Sequence, residues 1–499
     1  MKLADLLKAL DEYELDGNPE LEITGLNYDS RKVERGDIFV AIRGHSNDGY
    51  HYLKDALEKG AVAVVAEKKE DSYNLPKVWV PNPRRALSKL SARFYDYPFN
   101  GMDITGITGT NGKTTTSYLL ESILAEAGKK TGVIGTINSR FSGCEFPSSV
   151  TTPESLDLMR LAKKMADDGV TNLVIEASSH ALDQRRTGDC PFRVGVFTNF
   201  SRDHLDYHRD MDEYFAAKSI LFRDLGETVN GSRSCAVINM DDPRGKELVN
   251  LVKGDVLTYG LGRGCDLRAE SVKADIKGLS ARIITPSGSA DIKSSLVGEI
   301  NIYNILAAAG AALASGSDLE SIKKGVMGLK NVPGRLEPVD NRLKIPIIVD
   351  YSHTPDALLK AQKNLRSFIK GRLITVFGCG GDRDKGKRCE MGLAAGENSD
   401  IVIITSDNPR TENPLEIIGQ IEEGVLKSGM GKMVWPEVKS SSYLVEPDRG
   451  EAIRKAVSMA GKEDTILIAG KGHENYQIVG RIKRHFDDRE EALKAANAV

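Results

Sequence analysis

Residues 106–116 read GITGTNGKTTT and lie between an apolar stretch, DITGIT, and the helix-forming stretch TTTSYLLESILAEAG. A strand, a glycine-rich turn and a helix in this order aim backbone N–H groups and a helix N-terminus at a bound anion. Lys113 could then reach the β- and γ-phosphates of a nucleotide, and the Thr114 hydroxyl could bind Mg²⁺. The stretch therefore predicts an α/β domain that binds a nucleotide.

The loop departs from the common phosphate-binding loop, G-x-x-x-x-G-K-[ST]. Gly112, Lys113 and Thr114 match its end, but Ile107 stands where its first glycine belongs, and the glycines are at 106 and 109. An ordinary glycine-rich turn is the alternative interpretation. A helix that opens with Gly-Lys-Thr-Thr-Thr argues against that alternative and favours a nucleotide site with a variant loop.

Strand-like and helix-like stretches alternate along the chain, whose 499 residues predict about three domains at ~150 residues each. We predict a small α/β domain over 1–98, a central parallel-sheet ATP-binding domain over 99–332, and a doubly wound, Rossmann-like domain over 333–499. Alternating residues around 268–297 predict antiparallel hairpins attached to the central sheet. The fold class is thus α/β, and ligands should lie at the carboxyl ends of the strands.

Composition disfavours several classes of protein. The formal net charge is −3, whereas a nucleic-acid-binding protein usually has a strong basic excess. No apolar run approaches the ~20 residues that span a bilayer, and residues 1–17 predict an amphipathic helix with acidic residues rather than a signal peptide. The six cysteines form no C-x-x-C pair, which favours reduced thiols in a cytoplasm. We expect a cytoplasmic monomer without a nucleic-acid partner and without membrane insertion.

Polar residues follow two predicted strands of the central domain. Glu176 comes at the end of NLVIE, and His180, His204 and His208 lie in EASSH and FSRDHLDYH. Mg²⁺ needs oxygen ligands beyond phosphate, so Glu176 is a candidate ligand. A helix-capping carboxylate is an equally supported alternative for Glu176. A single histidine is more often structural, but three near the ends of adjacent strands favour a site.

Ten short stretches, in this order, resemble the motifs of one enzyme family. They are GITGTNGKTT, EASSHALDQRR, TNFSRDHLDYH, AAKSILF, GEINIYNILAA, VPGRLE, VDYSHTPDAL, FGCGGDRDKGKR, SDNPRTENP and AGKGHENYQ. On these motifs the chain resembles the Mur ligases, ATP-dependent amide-forming enzymes of peptidoglycan precursor synthesis. The resemblance covers nearly the whole chain, from about Asp29 to Glu474, and T-G-T-N-G-K-T is this family's phosphate loop.

Within the family, the chain resembles the members that add the third amino acid of the peptide. That similarity implies an Mg²⁺-dependent ligase that adds meso-diaminopimelate to the D-glutamate of UDP-N-acetylmuramoyl-L-alanyl-D-glutamate through an acyl phosphate. The amino acid is implied by DNPR, residues 407–410, because members that add lysine differ there. An arginine can hold the additional carboxylate of diaminopimelate with a bidentate fork. On position alone, Arg410 could instead be a surface arginine after a turn.

The resemblance also implies the residues of each site. Those that contact the uridine nucleotide and the muramoyl-dipeptide are Ser30, His45, Ser46, Asn47, Thr151, Thr152, Ser178, Gln184 and Arg186. Those near ATP are Gly109, Thr110, Asn111, Gly112, Lys113, Thr114, Thr115, Asn304, Arg335 and Asp350. Those of the diaminopimelate site are Arg383, Asp407, Asn408, Pro409, Arg410, Gly470 and Glu474. The catalytic and metal-site residues are Lys113, Thr114, Glu176, His204 and Lys218.

Lys218, in EYFAAKSILF, matches a lysine that the family carries as a carbamate. The resemblance implies that CO₂ converts its amine into an anion able to bind a second Mg²⁺. A solvent-facing lysine on a helix is the alternative interpretation from the residues alone.

Other functions stay open at this point. The chain could be a lysine-adding relative or a relative of folylpolyglutamate synthase; DNPR argues against the first and the uridine-type first domain against the second. From another class, it could be a switch that uses ATP only for conformational change. A switch would leave the loops GCGGDRDKGKR and GKGHE without a purpose.

Overall fold

The computed structural model describes residues 1–44, 48–67 and 75–498. In the described part of the N-terminal region, five strands form a sheet in the order β1-β5-β4-β3-β2, parallel except for β1. The elements are α1 Leu3–Leu7, β1 Glu14–Asp16, β2 Gly25–Asn27, β3 Asp37–Val40, α2 Leu53–Glu58, β4 Ala63–Ala66, β5 Lys77–Trp79 and α3 Pro83–Phe94. Single 3₁₀ turns at Ser30–Lys32 and Gly49–Tyr52 precede β3 and α2 respectively.

The predicted helix over residues 1–17 is wrong beyond Leu7. Helix α1 buries Leu3, Leu6 and Leu7, and the chain then turns into strand β1. Strand β1 pairs antiparallel with β5, so it covers an edge of the sheet. Because these tertiary hydrogen bonds outweigh the weak helix propensity of a short polar segment, the helix ends early.

The central region, described without gaps, contains an eleven-stranded sheet in the order β18-β17-β16-β15-β14-β11-β6-β10-β7-β8-β9. Its strands are β6 Asp103–Thr108, β7 Thr131–Ile134, β8 Asn138–Phe141, β9 Cys144–Pro147, β10 Asn172–Glu176, β11 Phe192–Phe197, β14 Cys235–Asn239, β15 Asp255–Gly260, β16 Leu267–Asp275, β17 Gly278–Thr285 and β18 Gly288–Ser294. A separate small ladder joins β12 Thr228–Val229 to β13 Ser232–Arg233. The helices are α4 Lys113–Glu126, α5 Ser155–Asp167, α6 Ser179–Asp183, α7 Met211–Arg223, α8 Gly245–Val249, α9 Asn301–Ala314 and α10 Leu319–Gly328.

The middle of this sheet is parallel and both edges are antiparallel. Strand β6 lies between β10 and β11 in parallel register. The predicted hairpins around 268–297 are confirmed as β16, β17 and β18. The meander β7-β8-β9 on the opposite edge was not predicted. The central position of β6 places the loop that follows it, residues 109–112, at the carboxyl edge of the sheet.

The C-terminal region, also described except for its last residue, has a seven-stranded sheet in the order β19-β20-β25-β21-β22-β24-β23. Its strands are β19 Glu337–Pro338, β20 Ile347–Asp350, β21 Leu373–Phe377, β22 Ile401–Ile404, β23 Gly431–Lys432, β24 Ser442–Val445 and β25 Thr465–Ala469, and a hairpin of β26 Tyr476–Val479 and β27 Ile482–His485 follows. Its helices are α11 Pro355–Arg366, α12 Gly386–Asn398, α13 Pro414–Lys427, α14 Arg449–Met459 and α15 Asp488–Ala498.

Alternate residues of the C-terminal strands pack into two different cores. In β22, Val402 and Ile404 contribute to one hydrophobic cluster, and Ile401 and Ile403 contribute to another. Helices therefore cover both faces of a largely parallel sheet, as in a doubly wound fold. The predicted α/β class with three units is confirmed, and the boundaries at 98/99 and 332/333 stay predictions.

In the described part of the chain, no helix is both long and apolar enough to cross a lipid bilayer. All six cysteines are free thiols.

Candidate active site

The loop after β6 has the backbone conformation that its glycines permit. Gly109 has φ +145° and Gly112 has φ +88°, and an added Cβ would overlap Thr198 Oγ1 or Asn304 Oδ1, respectively. Helix α4 begins at Lys113 directly after the loop. The Lys113 Nζ donates to the carbonyls of Gly109 (2.7 Å) and Thr110 (2.9 Å). This is a turn that can surround a phosphate with N–H groups and an ammonium.

Two residues directly after β11, Thr198 and Asn199, hold this loop and were not predicted as site residues. The Thr110 N–H donates to the Asn199 carbonyl (2.8 Å), and the Asn111 N–H donates to Asn199 Oδ1 (2.9 Å). The Thr198 hydroxyl donates to the Asn111 carbonyl (2.6 Å). The motif TNF, which contains both residues, was the available signal.

Glu176 ends strand β10 and is buried beside the loop. Its Oε2 accepts from Thr114 Oγ1 (2.9 Å) and from Thr136 Oγ1 (2.7 Å). The helix-cap alternative for Glu176 is wrong, because Ser178 Oγ accepts from the Ala181 N–H and caps α6. Glu176 and Thr114 thus present a carboxylate and a hydroxyl side by side.

The three predicted histidines lie together. The ring centroids of His180 and His204 are 4.9 Å apart, and those of His180 and His208 are 5.7 Å apart. Burial lowers the pKa of both His180 and His204 to about 4, so their imidazoles are neutral at physiological pH. His208 is hydrogen-bonded to Ser179 Oγ (3.1 Å).

Lys218 lies on α7 with 1% of its surface exposed, so the solvent-facing alternative is wrong. Its Nζ donates to the Gly109 carbonyl (2.9 Å), the same carbonyl that Lys113 contacts. Burial, with a smaller contribution from the Lys113 ammonium, lowers the pKa of Lys218 well below its usual value. Lys218 is therefore a buried amine next to the phosphate loop, an unusual place for a lysine.

A cavity of about 540 Å³ opens beside the loop, between the central and C-terminal sheets. It is lined by nine of the predicted ATP residues: Thr110, Asn111, Gly112, Lys113, Thr114, Thr115, Asn304, Arg335 and Asp350. The carbonyl of Gly109, the tenth predicted residue, accepts from Lys113 and Lys218. Arg335, just before β19, donates from Nη2 to Thr114 Oγ1 (3.2 Å). Asp350 supports this segment, because its Oδ2 accepts from the Leu336 N–H (2.7 Å).

The residues present fit a magnesium ion that is bound together with phosphate. Mg²⁺ is usually bound by one or two carboxylates with substrate phosphates and water. Thr114 Oγ1 and Glu176 Oε2 supply oxygen donors 2.9 Å apart at the phosphate loop. Within the described ranges, no group of three or more His, Cys, Asp or Glu side chains is arranged to hold a metal.

The predicted residues for the uridine-linked substrate are only partly within the described structure. His45, Ser46 and Asn47 lie outside the described residues. Ser30 is buried at the start of a 3₁₀ turn. Thr151 Oγ1 lies 3.1 Å from Thr136 Oγ1, at the edge of the ATP cavity.

Four other predicted residues of this site contact one another. Thr152 Oγ1 lies 3.2 Å from Ser178 Oγ, Arg186 Nη1 donates to the Thr152 carbonyl (3.0 Å), and Arg186 Nη2 donates to Gln184 Oε1 (2.8 Å). Sequence reasoning missed the buried Glu154, which lies 3.7 Å from Arg186 Nε. Glu154 also pairs with Arg84 on α3, so it links the N-terminal domain to this group.

The predicted diaminopimelate residues lie on turns after β21, β22 and β25, three adjacent strands. Asn408 Nδ2 donates to Glu474 Oε2 (2.9 Å), and Arg410 Nη1 donates to the Gly381 carbonyl (2.7 Å). Gly470 has φ +113° and donates its N–H to the Asp350 carbonyl (3.1 Å). Arg383 is exposed and donates to the Asp382 carbonyl (3.1 Å). The Pro409 carbonyl lies so close to Gly381 that a Cβ at position 381 would overlap its oxygen.

Charges in these turns could hold a zwitterion. Buried Asp407 Oδ1 has no hydrogen-bond partner in the described structure, and Glu474 lies on the neighbouring turn, so both carboxylates could accept from an ammonium. The partly exposed Arg410 could donate to a carboxylate. Sequence reasoning missed Lys471, which is completely buried 3.6 Å from Asp407 Oδ1 and 3.3 Å from Glu474 Oε2. The motif GKGHE, residues 470–474, contains Lys471 and could have identified it.

Comparison with known proteins agrees with this geometry. Residues 22–95 match the Mur ligase family catalytic domain, residues 107–312 the Mur ligase middle domain, and residues 334–472 the Mur ligase glutamate ligase domain. The chain belongs to the Mur ligase family, and the resemblance inferred from its motifs is confirmed.

Curated relatives match over their full length. The chain is 46% identical over 504 residues to the UDP-N-acetylmuramoyl-L-alanyl-D-glutamate–2,6-diaminopimelate ligase of Geobacter metallireducens, covering 99% of this chain and 98% of the relative. It is 43% identical over 498 residues to the ligase of the same name from Geobacillus thermodenitrificans, with 99% of both chains covered. A solved structure of a ligase of this name has a TM-score of 0.68 and 32% identity, covering 100% of this chain and 99% of that one.

Proposed function

We propose that this protein is an ATP-dependent ligase that joins meso-diaminopimelate to the D-glutamate of UDP-N-acetylmuramoyl-L-alanyl-D-glutamate and releases ADP and phosphate. The observation that carries the proposal is a continuous set of contacts between the ATP loop and the amino-acid turns. Arg335 donates to Thr114 and lies over the Tyr351 ring at 4.7 Å, and Tyr351 packs on His473 at 4.9 Å, next to Glu474. The relatives named above support the same reaction.

The reaction divides into two steps. A D-glutamate carboxylate oxygen attacks the γ-phosphorus of ATP, forming an acyl phosphate and releasing ADP. The diaminopimelate amine then attacks the acyl carbon, phosphate leaves with the electrons of the C–O bond, and the amine loses a proton. Lys113 stabilises the charge that develops on the phosphoryl oxygens. Arg410 holds a carboxylate of diaminopimelate, and Asp407 and Glu474 hold an ammonium.

Thr114 and Glu176 would hold Mg²⁺ against the phosphates, where the ion withdraws charge from the transferred group. Lys218 is proposed to act as a carbamate: its neutral amine adds to the carbon of CO₂ and loses a proton, which leaves an anion beside the phosphate loop. His204 Nε2 lies 3.5 Å from Asp203 Oδ2. Both residues line the cavity beside the phosphate loop, which supports a role of His204 near the phosphates.

The test is amino-acid-dependent release of ADP. Purified protein receives ATP, Mg²⁺ and UDP-N-acetylmuramoyl-L-alanyl-D-glutamate, with meso-diaminopimelate, L-lysine or no amino acid. Release with diaminopimelate alone is expected. Release with lysine instead would keep the ligase and overturn the amino-acid assignment. ATP binding without release in any mixture would favour a nucleotide switch. The monomeric state and the cytoplasmic location stay predictions, and light scattering on the same preparation tests the first.

A further inference from the structure

The hairpin β26–β27 packs against the turn DNPR, residues 407–410. The hairpin backbone forms two hydrogen bonds with Arg410. The Arg410 N–H donates to the Ile478 carbonyl (3.1 Å), and the Gly480 N–H donates to the Arg410 carbonyl (2.7 Å). Arg410 has φ +50°, a left-handed conformation that is unfavourable for a residue with a side chain. The two hydrogen bonds to the hairpin hold it there.

The hairpin also fixes the orientation of the Asn408 amide. The Ile478 N–H donates to Asn408 Oδ1 (3.0 Å), and a backbone N–H can only donate. The Asn408 nitrogen must therefore point the other way, where Nδ2 donates to Glu474 Oε2 (2.9 Å). Lys471 Nζ, 3.4 Å from Asn408 Oδ1, favours the same orientation.

One hairpin side chain completes this arrangement. Gln477 is 3% exposed, and its Nε2 donates to the Asp407 carbonyl (2.8 Å). Its Oε1 accepts from Arg484 Nη2 (2.7 Å), which sets the amide so that Nε2 faces Asp407. A substitution at Gln477 removes this side-chain contact and leaves both backbone hydrogen bonds between the hairpin and Arg410 available. Without the side-chain contact, a buried carbonyl would lose its donor.

We propose that Gln477 is a positioning residue for the amino-acid site: together with Arg484 it holds the DNPR turn so that Asp407, Asn408 and Arg410 face the incoming amino acid. The inference rests on the proposed ligase function. Bidentate binding of a carboxylate by a guanidinium depends on the orientation and position of the guanidinium. A turn released by the hairpin would therefore bind diaminopimelate less tightly and would distinguish it less well from lysine.

The test compares steady-state constants of Gln477→Leu and wild type for each of the three substrates. We expect the KM for diaminopimelate to rise about tenfold, with kcat and the KM for ATP changed less than twofold. The ratio of kcat/KM for diaminopimelate to that for lysine should fall. Arg484→Ala, at an exposed position that leaves the core intact, should raise the same KM about threefold.

Two matched controls separate positioning from stability. Gln362→Leu removes the other deeply buried glutamine of this domain, which bonds Thr375, Ser399 and the Ala395 carbonyl away from the turn. It should lower the melting temperature and leave the KM for diaminopimelate unchanged. Arg481→Ala removes an exposed arginine of the same hairpin and should change neither.

The outcomes distinguish the two proposals. An unchanged KM for diaminopimelate in both Gln477→Leu and Arg484→Ala would overturn the positioning role while leaving the ligase function standing. If wild type uses lysine instead, the diaminopimelate assignment fails, and the same criterion applied to the KM for lysine decides the role of Gln477. Absence of turnover by wild type with every amino acid would overturn both.

Discussion

Arg335 and Thr114 are 221 residues apart in the chain and lie on different domains, yet Arg335 Nη2 donates to Thr114 Oγ1 over 3.2 Å. Thr114 is the second residue of the helix after the phosphate loop, and Arg335 precedes the first strand of the C-terminal sheet. The guanidinium therefore brings a positive charge from the C-terminal domain to the place where phosphates are expected. This contact couples the ATP loop to the domain that carries the amino-acid turns.

Replacing Arg335 by alanine should lower kcat/KM for ATP by about 10²-fold, because one preorganised donor to phosphate is lost. ADP release at varied ATP concentration measures the effect. Arg342→Ala is the control, since Arg342 is an arginine of the same domain that donates to the Ala496 carbonyl away from the cavity. Equal effects of the two substitutions would contradict a specific role for Arg335.

The same coupling predicts that the C-terminal domain closes over the central one when substrates bind, which would keep water from the acyl phosphate. Small-angle X-ray scattering should show a smaller radius of gyration with a non-hydrolysable ATP analogue and the UDP substrate than without them. Arg335→Ala should weaken the change. An identical radius in both states would rule the closure out.

Lys218 should be needed as an anion rather than as a cation. Lys218→Ala is expected to lower kcat by about 10²–10³-fold, and added formate should restore part of the activity by supplying a carboxylate in the space left. Lys218→Arg, which keeps the positive charge, should be as inactive as the alanine variant and should not respond to formate. An active arginine variant would argue against a carbamate.

Arg410→Ala should weaken the use of diaminopimelate selectively. A hydrogen bond to a charged group contributes about 1.5–3 kcal/mol, so the KM for diaminopimelate should rise roughly 10- to 150-fold. The KM for lysine, which lacks the second carboxylate, should change little. Arg410→Lys should recover only part of the loss, because an ammonium has no planar fork. Parallel losses with both amino acids would place Arg410 outside the specificity site.

Protonation of Glu412 should make the C-terminal domain less stable in acid. Buried Arg388 donates to Glu412 Oε1 (2.8 Å) and Oε2 (3.0 Å), and the Asp382 N–H donates to Oε1 (2.6 Å). The Arg388 hydrogen bonds, aided by this N–H, lower the pKa of Glu412 from 4.5 to about 2. A lowered folded-state pKa stabilises the fold fully above pH 4.5, and this stabilisation is lost as the pH falls towards 2.

Urea unfolding of wild type and Glu412→Gln, followed from pH 7 to pH 3, tests this pH dependence. The difference between their midpoints should be constant above pH 5 and should shrink below pH 4.5. A difference that does not depend on pH would contradict the assigned ionisation of Glu412.

Features that depend on neighbouring residues could be predicted from the amino-acid sequence. The run from β6 through Gly112 to α4 specifies a strand, a turn with positive φ and a helix, so Lys113 and Thr114 could be assigned to a phosphate site. The periodicity of β20–β22 and β25 predicted a doubly wound sheet in the same way. Strand and helix patterns repeat within a few residues, and a local reading is therefore sufficient.

Contacts between residues far apart in the chain could not be predicted, because they depend on how helices and strands pack. The residues around Lys218 favoured a solvent-facing lysine, whereas packing of α7 against the phosphate loop buries it. The first helix was predicted to extend to residue 17 but ends at Leu7, because the pairing of β1 with β5 cannot be read from local sequence. Gln477 reaches Asp407 across 70 residues, since β22 and β25 place their carboxyl ends at one edge of the sheet. Such contacts depend on how whole elements pack, and the chemistry of this site depends on those contacts.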